Sequence, residues 1–372
     1  MPLPSDPAGF QCQGVRLPSV IDKSSLVKRY IQENHYGALA ADAVRQFAPH
    51  VVISGNTPLD SQAIIQKHCK LMGVPFIYWV QDLVGIGTHK VMSRRLPVAG
   101  PLIGKHYVNL ERRLLAESSH VVLIAEDFRP FLPDKNAPNI SVIENWAPLE
   151  EMPLRPRVNA WAKRNGLDKS LNLIYSGTLG MKHNPDLLLQ LALHFRNSTP
   201  RVNVVVITGG AGGGWLKEKK QELGVDNLIL MPFQPYEEVP DVLASADVLL
   251  SILDESAGVF SVPSKVLSYA CAGRPMLLAV PPENLAAKIV TRNGMGVVVS
   301  PSDLQGFITA GKQLLNNPAR REQFGCNARA YAERNFDIQA ITDRFEMLAL
   351  PATKCIVTEH AVESGYSETI NR

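Results

Sequence analysis

The sequence has no apolar run approaching the roughly 18 residues that a bilayer crossing needs, so a membrane-spanning protein is not expected. It opens on MPLPSDPAGFQCQG, which has neither a basic start nor an apolar core of secretory length, and no leader is expected there. Cysteine is scarce: Cys12, Cys69, Cys271, Cys326 and Cys355 are odd in number, scattered and never in CxxC spacing. That pattern argues against a disulfide frame or a zinc site and for reduced thiols in a cytoplasm, read most simply as small buried apolar residues. No strand-like run is followed by GxGxxG, which disfavours a nicotinamide dehydrogenase, and no GK[ST] marks a P-loop. The formal net charge of +3 is too small to argue for a nucleic-acid partner. No His, Asp and Cys spacing suggests a metal site.

What remains is an ordinary globular composition, 45% apolar and 20% charged over 372 residues, long enough for two cores. Short β-branched runs alternate with helical apolar spacing: HVVIS (50–54), PFIYWV (75–80) and HVVLIA (120–125), then LNLIYSG (171–177), VNVVVITGG (202–210), NLILMPF (227–233), ADVLLSIL (246–253), PMLLAV (275–280) and GMGVVVS (294–300). Near-continuous apolar strands separated by helices predict parallel sheets covered on both faces, a doubly wound α/β architecture present twice. Pro148, Pro153 and Pro156 interrupt the pattern within 145–167, which places a seam between a domain over 1–150 and one over 151–326. The polar tail 351–372 lacks periodicity and is expected to be loosely ordered. Two facing domains of this kind leave a cleft, and ligands of parallel sheets sit beyond the carboxyl ends of strands.

Four loops after strands therefore carry the chemistry. In TLGMKHNP, Gly177 and Gly180 permit a tight turn, Asn184 and Pro185 open a helix, and Lys182 and His183 flank its start, a place suited to an anion. In GGAGGGW, Gly209 and Gly210 let backbone approach a ligand, although a flexible surface loop explains the glycines equally well. In PFQPYEEVP, Phe233 or Tyr236 offers a flat face to a base, or simply packs. In DESAGVFSVPSK, Ser261 or Ser264 caps the next helix, Pro263 is tolerated at its first turn and Lys265 adds a positive charge. The last of these is built like a diphosphate cradle.

The succession LIYSGTLGMKH, VVVITGGAGG, LMPFQPYEEVPDVLASADVLLSI and VPSKVLSYACAGRPML, closed by NARAYAERNFDIQAITDRFEML (327–348), resembles the donor half of the family 4 retaining glycosyltransferases, with the GT-B fold, of the bacterial colanic-acid, capsule and O-antigen type. YWVQDL (78–83), HYVNLERRLLAESSHVVLIAEDF (106–128) and VIENW (142–146) match the other half more loosely. The resemblance implies a nucleotide-diphosphate sugar on the second domain, a saccharide acceptor on the first, and a terminal helical segment over 327–350 that packs back on the first domain. With the loops, it implies donor contacts from Gly177, Thr178, His183, Gly209, Gly210, Phe233, Glu255, Ser261, Val262, Pro263, Ser264 and Ser268.

Two departures stand out. The family's paired glutamates fall at Phe260 and Ser268, so neither carboxylate is present, and a hydroxyl would meet the ribose where a carboxylate usually does; Asp254 or Glu255 is a substitute facing the sugar. The opening apolar strand and glycine-rich turn of the family are missing from MPLPSDPAGFQCQGVRLPSV, so the first domain is expected to be short or rebuilt.

A leaving nucleoside diphosphate can be stabilised by cations and backbone dipoles without a metal or other cofactor, and Lys182 and Lys265 are the expected catalytic cations. Asp82, after YWVQ, is expected to contact a sugar, or else to cap a turn. Lys90, Arg94, Arg95, Lys105, Arg112 and Arg113 surround the apolar LPVAGPLIG, a pattern suited to an anionic membrane surface or to a solvated helix face. A polyprenyl-diphosphate-linked acceptor would place a cytoplasmic protein in peripheral contact with the inner leaflet. Two other readings stay open: a nucleotide-sugar 2-epimerase, for which no convincing set of proton-transfer groups is visible, and a non-catalytic remnant or partner subunit.

Overall fold

The computed structural model describes residues 6–21, 25–180, 183–255 and 264–350. The chain divides into two compact units, one built from residues up to Glu144 and again from Thr342, the other from Asn145–Ile341.

The first unit contains α1 (Leu26–Phe47), β1 (Val52–Gly55), α2 (Leu59–Leu71), β2 (Phe76–Val80), α3 (Val84–Arg95), α4 (Gly100–Ala116), β3 (His120–Leu123) and β4 (Ile140–Val142). Its four strands are parallel and lie in the order β1-β2-β3-β4. The order runs one way, so among the described residues this sheet has no reversal at which a ligand crevice would open. The Ser25 hydroxyl caps α1 by accepting from the Lys28 amide. Gly37 lets α1 approach α2 so closely that a Cβ would lie 2.8 Å from Ser61 Cα. The short strand β4, only three residues, was not anticipated by alternation because it is too brief to show a period.

The second unit contains α5 (Ala160–Arg164), β5 (Leu171–Ser176), α6 (Asp186–His194), β6 (Val202–Ile207), α7 (Ala211–Leu223), β7 (Leu228–Met231), α8 (Val239–Ala244), β8 (Val248–Ile252), α9 (Lys265–Cys271), β9 (Met276–Ala279), α10 (Leu285–Arg292), β10 (Gly296–Val299), α11 (Leu304–Asn316) and α12 (Pro318–Asn335). Its six parallel strands lie in the order β10-β9-β8-β5-β6-β7. Winding starts at β5, proceeds to β7, then returns to β8 on the other side of β5, which creates a switch point between β5 and β8. The uninterrupted apolar runs follow from this: Ile174, Val205 and Leu249 enter one buried cluster, while their chain neighbours Tyr175, Val206 and Leu250 enter another.

Polar side chains close the amino ends of these strands. Buried Asn172 donates to the carbonyls of Leu167 at 2.8 Å and Ser245 at 3.2 Å, and accepts from Ser170 Oγ at 2.9 Å. Asn203 donates to Ser170 Oγ at 2.8 Å.

Three expectations need adjustment. GGAGGGW is not a loop throughout, because α7 starts at Ala211, inside the glycine run. The segment over 327–350 is not one helix: α12 ends at Asn335 and a second helix covers 338–350. Within the first unit, Phe345 of that second helix meets Trp79 edge to face, with ring centroids 5.1 Å apart. Of the cysteines, Cys69 and Cys271 are buried, but Cys12 and Cys326 are exposed. The tail 351–372, with Cys355, lies outside the described residues.

Replacing Asn172 by Ala removes the donor of the Ser245 carbonyl and leaves that of Leu167 only the longer 3.4 Å bond from Ser170 Oγ, and we expect a loss of about 1–3 kcal/mol. Urea unfolding should show this as a lower midpoint at unchanged slope.

Candidate functional site

A cavity of ≈440 Å³ opens at the switch point of the second unit, where β5 and β8 end. Its lining includes Tyr175, Gly177, Thr178, His183, Lys265 and Ser268. Position here is set by Tyr269 of α9, which is buried among strand ends. Its hydroxyl accepts from the Ser176 amide at 3.1 Å and offers its proton to the carbonyls of Ser176 at 3.2 Å and Leu250 at 3.1 Å. One phenol thereby pins α9 to both strands that flank the switch point. Burial raises the Tyr269 pKa well above the usual phenol range, so the hydroxyl stays protonated and able to donate.

One turn before Tyr269, Lys265 lays its ammonium over the Tyr175 ring, 3.7 Å from the centroid. Gly177, at φ +139°, makes room: a Cβ there would come within 2.8 Å of Nζ. Burial pulls the Lys265 pKa down from 10.5 to about 7, since a desolvated ammonium is disfavoured against the neutral amine. An ammonium desolvated in a cavity and held by a neutral ring is poised to receive an anion.

The adjoining loops are tied together by backbone. The Tyr175 hydroxyl donates to the Thr178 carbonyl at 2.9 Å, the Leu179 amide to Gly209 at 3.1 Å, and the Gly212 amide to Leu179 at 2.9 Å. Gly212 has no room for a side chain, since its Cβ would meet Leu179 at 2.8 Å. The glycine run thus packs α7 against the turn after β5. The Gly180 amide donates to His183 Nδ1 at 2.9 Å, which holds the imidazole at the cavity wall.

The structure gathers Gly177, Thr178, His183, Ser264, Lys265 and Ser268 around one cavity. Ser264 occupies the N-cap position of α9 without a side-chain cap bond, so its expected capping role is not realised. Gly209 and Gly210 are not part of the lining: the Gly209 carbonyl accepts from the Leu179 amide, and Gly210 packs on the same turn, where a Cβ would lie 3.0 Å from the Leu179 carbonyl oxygen. Phe233 packs on Gly209, where a Cβ would lie 2.9 Å from its ring, and is 56% exposed. Glu255 is exposed and meets the Ser300 hydroxyl at 3.5 Å, outside the cavity lining. Lys182, Phe260, Ser261, Val262 and Pro263 lie outside the described residues. Sequence reasoning missed Trp146, Ala147, Pro148, Tyr175, Ile252 and Leu253 as lining residues. Only the strand-end position of Tyr175, Ile252 and Leu253 could have signalled them.

In the first unit, Asp82 follows β2 by two residues, at the carboxyl edge of its sheet. Arg94 and Arg95 end α3, while Lys105, Arg112 and Arg113 lie along α4, all five exposed. LPVAGPLIG joins the two helices and enters the second, because α4 begins at Gly100. Val98 in the turn is 87% exposed and Leu102 on the helix 73%. Among the described residues no helix is long and apolar enough to cross a membrane, and no three His, Cys, Asp or Glu side chains are grouped to hold a metal.

Residues 158–331 match the family model of the group 1 glycosyl transferases. Over 352 residues, 89% of this chain and 82% of the relative, the sequence is 27% identical to WcaI of Escherichia coli, a glycosyl transferase assigned to colanic acid biosynthesis. The fold is shared with HepE of Anabaena, solved with UDP and glucose, at a TM-score of 0.65 and 14% identity over 83% of this chain and 80% of that one. It is also shared with sucrose-phosphate synthase of Thermosynechococcus elongatus, at a TM-score of 0.67 and 14% identity over 96% and 87%.

The lowered Lys265 pKa has a thermodynamic signature. Between about 7 and 10.5 the unfolded chain holds a proton that the folded chain has shed, so the burden of burying this ammonium is full below pH 7 and fades as pH rises. Lys265→Met should therefore raise the urea midpoint at pH 6 and have a smaller effect at pH 9. An equal effect at both values would show that the ammonium is not desolvated.

Proposed function

Because residues 158–331 form a group 1 glycosyltransferase domain in a GT-B chain, we propose that this enzyme moves a hexosyl group from a nucleoside-diphosphate sugar to a lipid-linked saccharide, with retention, in cell-surface polysaccharide assembly. The observation that carries the donor assignment is the Lys265 ammonium, desolvated over Tyr175 at the switch point. A diphosphate placed there would meet a positive charge that water screens poorly, beside a turn that Gly177 leaves open. As the bond from the anomeric carbon to the diphosphate oxygen breaks, that oxygen gains charge, and Lys265 is the group positioned to hold it. The acceptor hydroxyl oxygen forms the new bond to the same carbon. Its proton passes to the departing diphosphate, which balances the exchange.

WcaI is named for colanic acid biosynthesis, and UDP with glucose is what HepE was solved with; both support a nucleotide sugar feeding polysaccharide assembly. Lys182 is proposed as a second cation for the same leaving group. Asp82 is proposed on the acceptor side. For the acceptor, the exposed Val98 and Leu102 between Arg94, Arg95 and Lys105 support contact with an anionic inner leaflet. Ser268 in the cavity, where the family has a carboxylate, favours one alternative: a nucleotide-binding partner subunit without turnover.

Binding of a nucleoside diphosphate should raise the Lys265 pKa again, so affinity should fall above about pH 7 with net proton uptake, seen by calorimetry in buffers of different ionisation enthalpy. Lys265→Ala should lower kcat/KM by about 30- to 1000-fold, the equivalent of roughly 2–4 kcal/mol of leaving-group stabilisation. Thermal shifts with UDP and GDP name the base. A shift without sugar transfer selects the partner-subunit reading, and no shift with either nucleotide overturns both.

A further inference from the structure

A second cavity of ≈700 Å³ lies in the same unit but at the opposite ends of the strands. Asp247 and Pro275, which immediately precede β8 and β9, line it, whereas the donor cavity is lined by Ile252 and Leu253 at the other end of β8. At about 3.3 Å per residue, the five-residue β8 holds the two cavities some 16 Å apart. Helix α9 joins them: Lys265 and Ser268 face the first, and Gly273 and Arg274 just past its end line the second.

Four arginines converge on this cavity, Arg157, Arg274, Arg321 and Arg329. Two are occupied in building the unit. Arg157 pairs with Asp247 at 2.8 Å, and Arg329 bonds the Met152 and Cys271 carbonyls at 2.9 and 2.8 Å and pairs with Glu333 at 2.7 Å. The other two keep donors in reserve. Arg274 donates from one terminal nitrogen to the Arg155 carbonyl at 3.2 Å, yet its Nε is buried with no hydrogen-bond partner. Arg321 uses Nη1 alone, on the Leu314 and Leu315 carbonyls at 2.8 and 2.5 Å. A buried guanidinium N–H left unmatched is costly; burial lowers the Arg274 pKa, the Asp247 carboxylate opposes that shift and the smaller influence of the Arg157 charge adds to it. Oxygens of an anion supply what is missing, and the planar fork of a guanidinium fits a phosphoryl group in particular.

We propose that this cavity binds a small phosphorylated metabolite, its phosphoryl group held by Arg274 and Arg321, at a site separate from the donor pocket. The volume suits a sugar phosphate rather than a lone ion. Cys326, exposed and part of the lining, provides a local reporter, and exposed Cys12 in the other unit is its internal control.

The test follows alkylation of each cysteine by iodoacetamide, peptide by peptide, in the full-length Lys265→Ala protein, which weakens the donor pocket. Glucose 1-phosphate and inorganic phosphate are the probes, against sodium chloride at matched ionic strength. Glucose 1-phosphate at ten times its Kd should slow Cys326 labelling about tenfold while leaving Cys12 unchanged. Protection should vanish in Arg274→Gln and in Arg321→Gln; the second, half-buried on the first turn of α12, remains informative if the first does not fold. Protection by inorganic phosphate as strong as by the sugar phosphate, molar for molar, would mean an ion site only and overturn the metabolite assignment. No protection, protection equal in sodium chloride, or protection surviving Arg321→Gln would overturn the site itself.

Discussion

The cavity at the switch point depends on one phenol. Tyr269 sits on α9 with its hydroxyl matched by the amide and carbonyl of Ser176 and the carbonyl of Leu250, which belong to the two strands bordering the switch point. Peptide groups at strand ends must find partners when buried, and here a side chain from the following helix supplies them. That requirement fixes the rotation and height of α9, and with them the place of Lys265 above Tyr175. The small Ala270 and Cys271, both fully buried, let the helix rest against the sheet.

The two units divide their labour through topology. The winding of the six-stranded sheet reverses at β5, so the connections leaving β5 and β8 turn to opposite faces and leave a crevice; the four-stranded sheet runs β1 to β4 without reversal. Electrostatics follow the same division. In the second unit charge is desolvated at Lys265, whereas Arg94, Arg95, Lys105, Arg112 and Arg113 of α3 and α4 remain in water, where charge is inexpensive and screened.

Much of this architecture was legible in the chain. LNLIYSG, VNVVVITGG and ADVLLSIL read as strands buried on both faces, and their successors Gly177 and Lys265 fell after strand ends where ligands belong. Other parts were hidden for identifiable reasons. Three residues of β4 carry no period. The start of α7 in AGGGW defies helix propensity, because glycine is a poor helix former and is required there by the contact of Gly212 with Leu179. Asn172, an apparent blemish in an apolar run, is a buried bracket between two turns.

Local pattern, then, determined the class of fold, the strands and the loops that border the switch-point cavity, since periodicity and turn chemistry act over a few residues. Tertiary structure alone decided which groups meet. Tyr175 and Lys265 are ninety positions apart (265 − 175) and become ring and cation only when β5 and α9 pack. The lowered pKa of that lysine is a property of its burial, not of its neighbours in sequence. Arg157, Arg274, Arg321 and Arg329, unremarkable one by one, surround a single cavity because β8, β9 and α12 bring their segments together. Desolvation and convergence depend on three-dimensional surroundings, and no short window of sequence contains them.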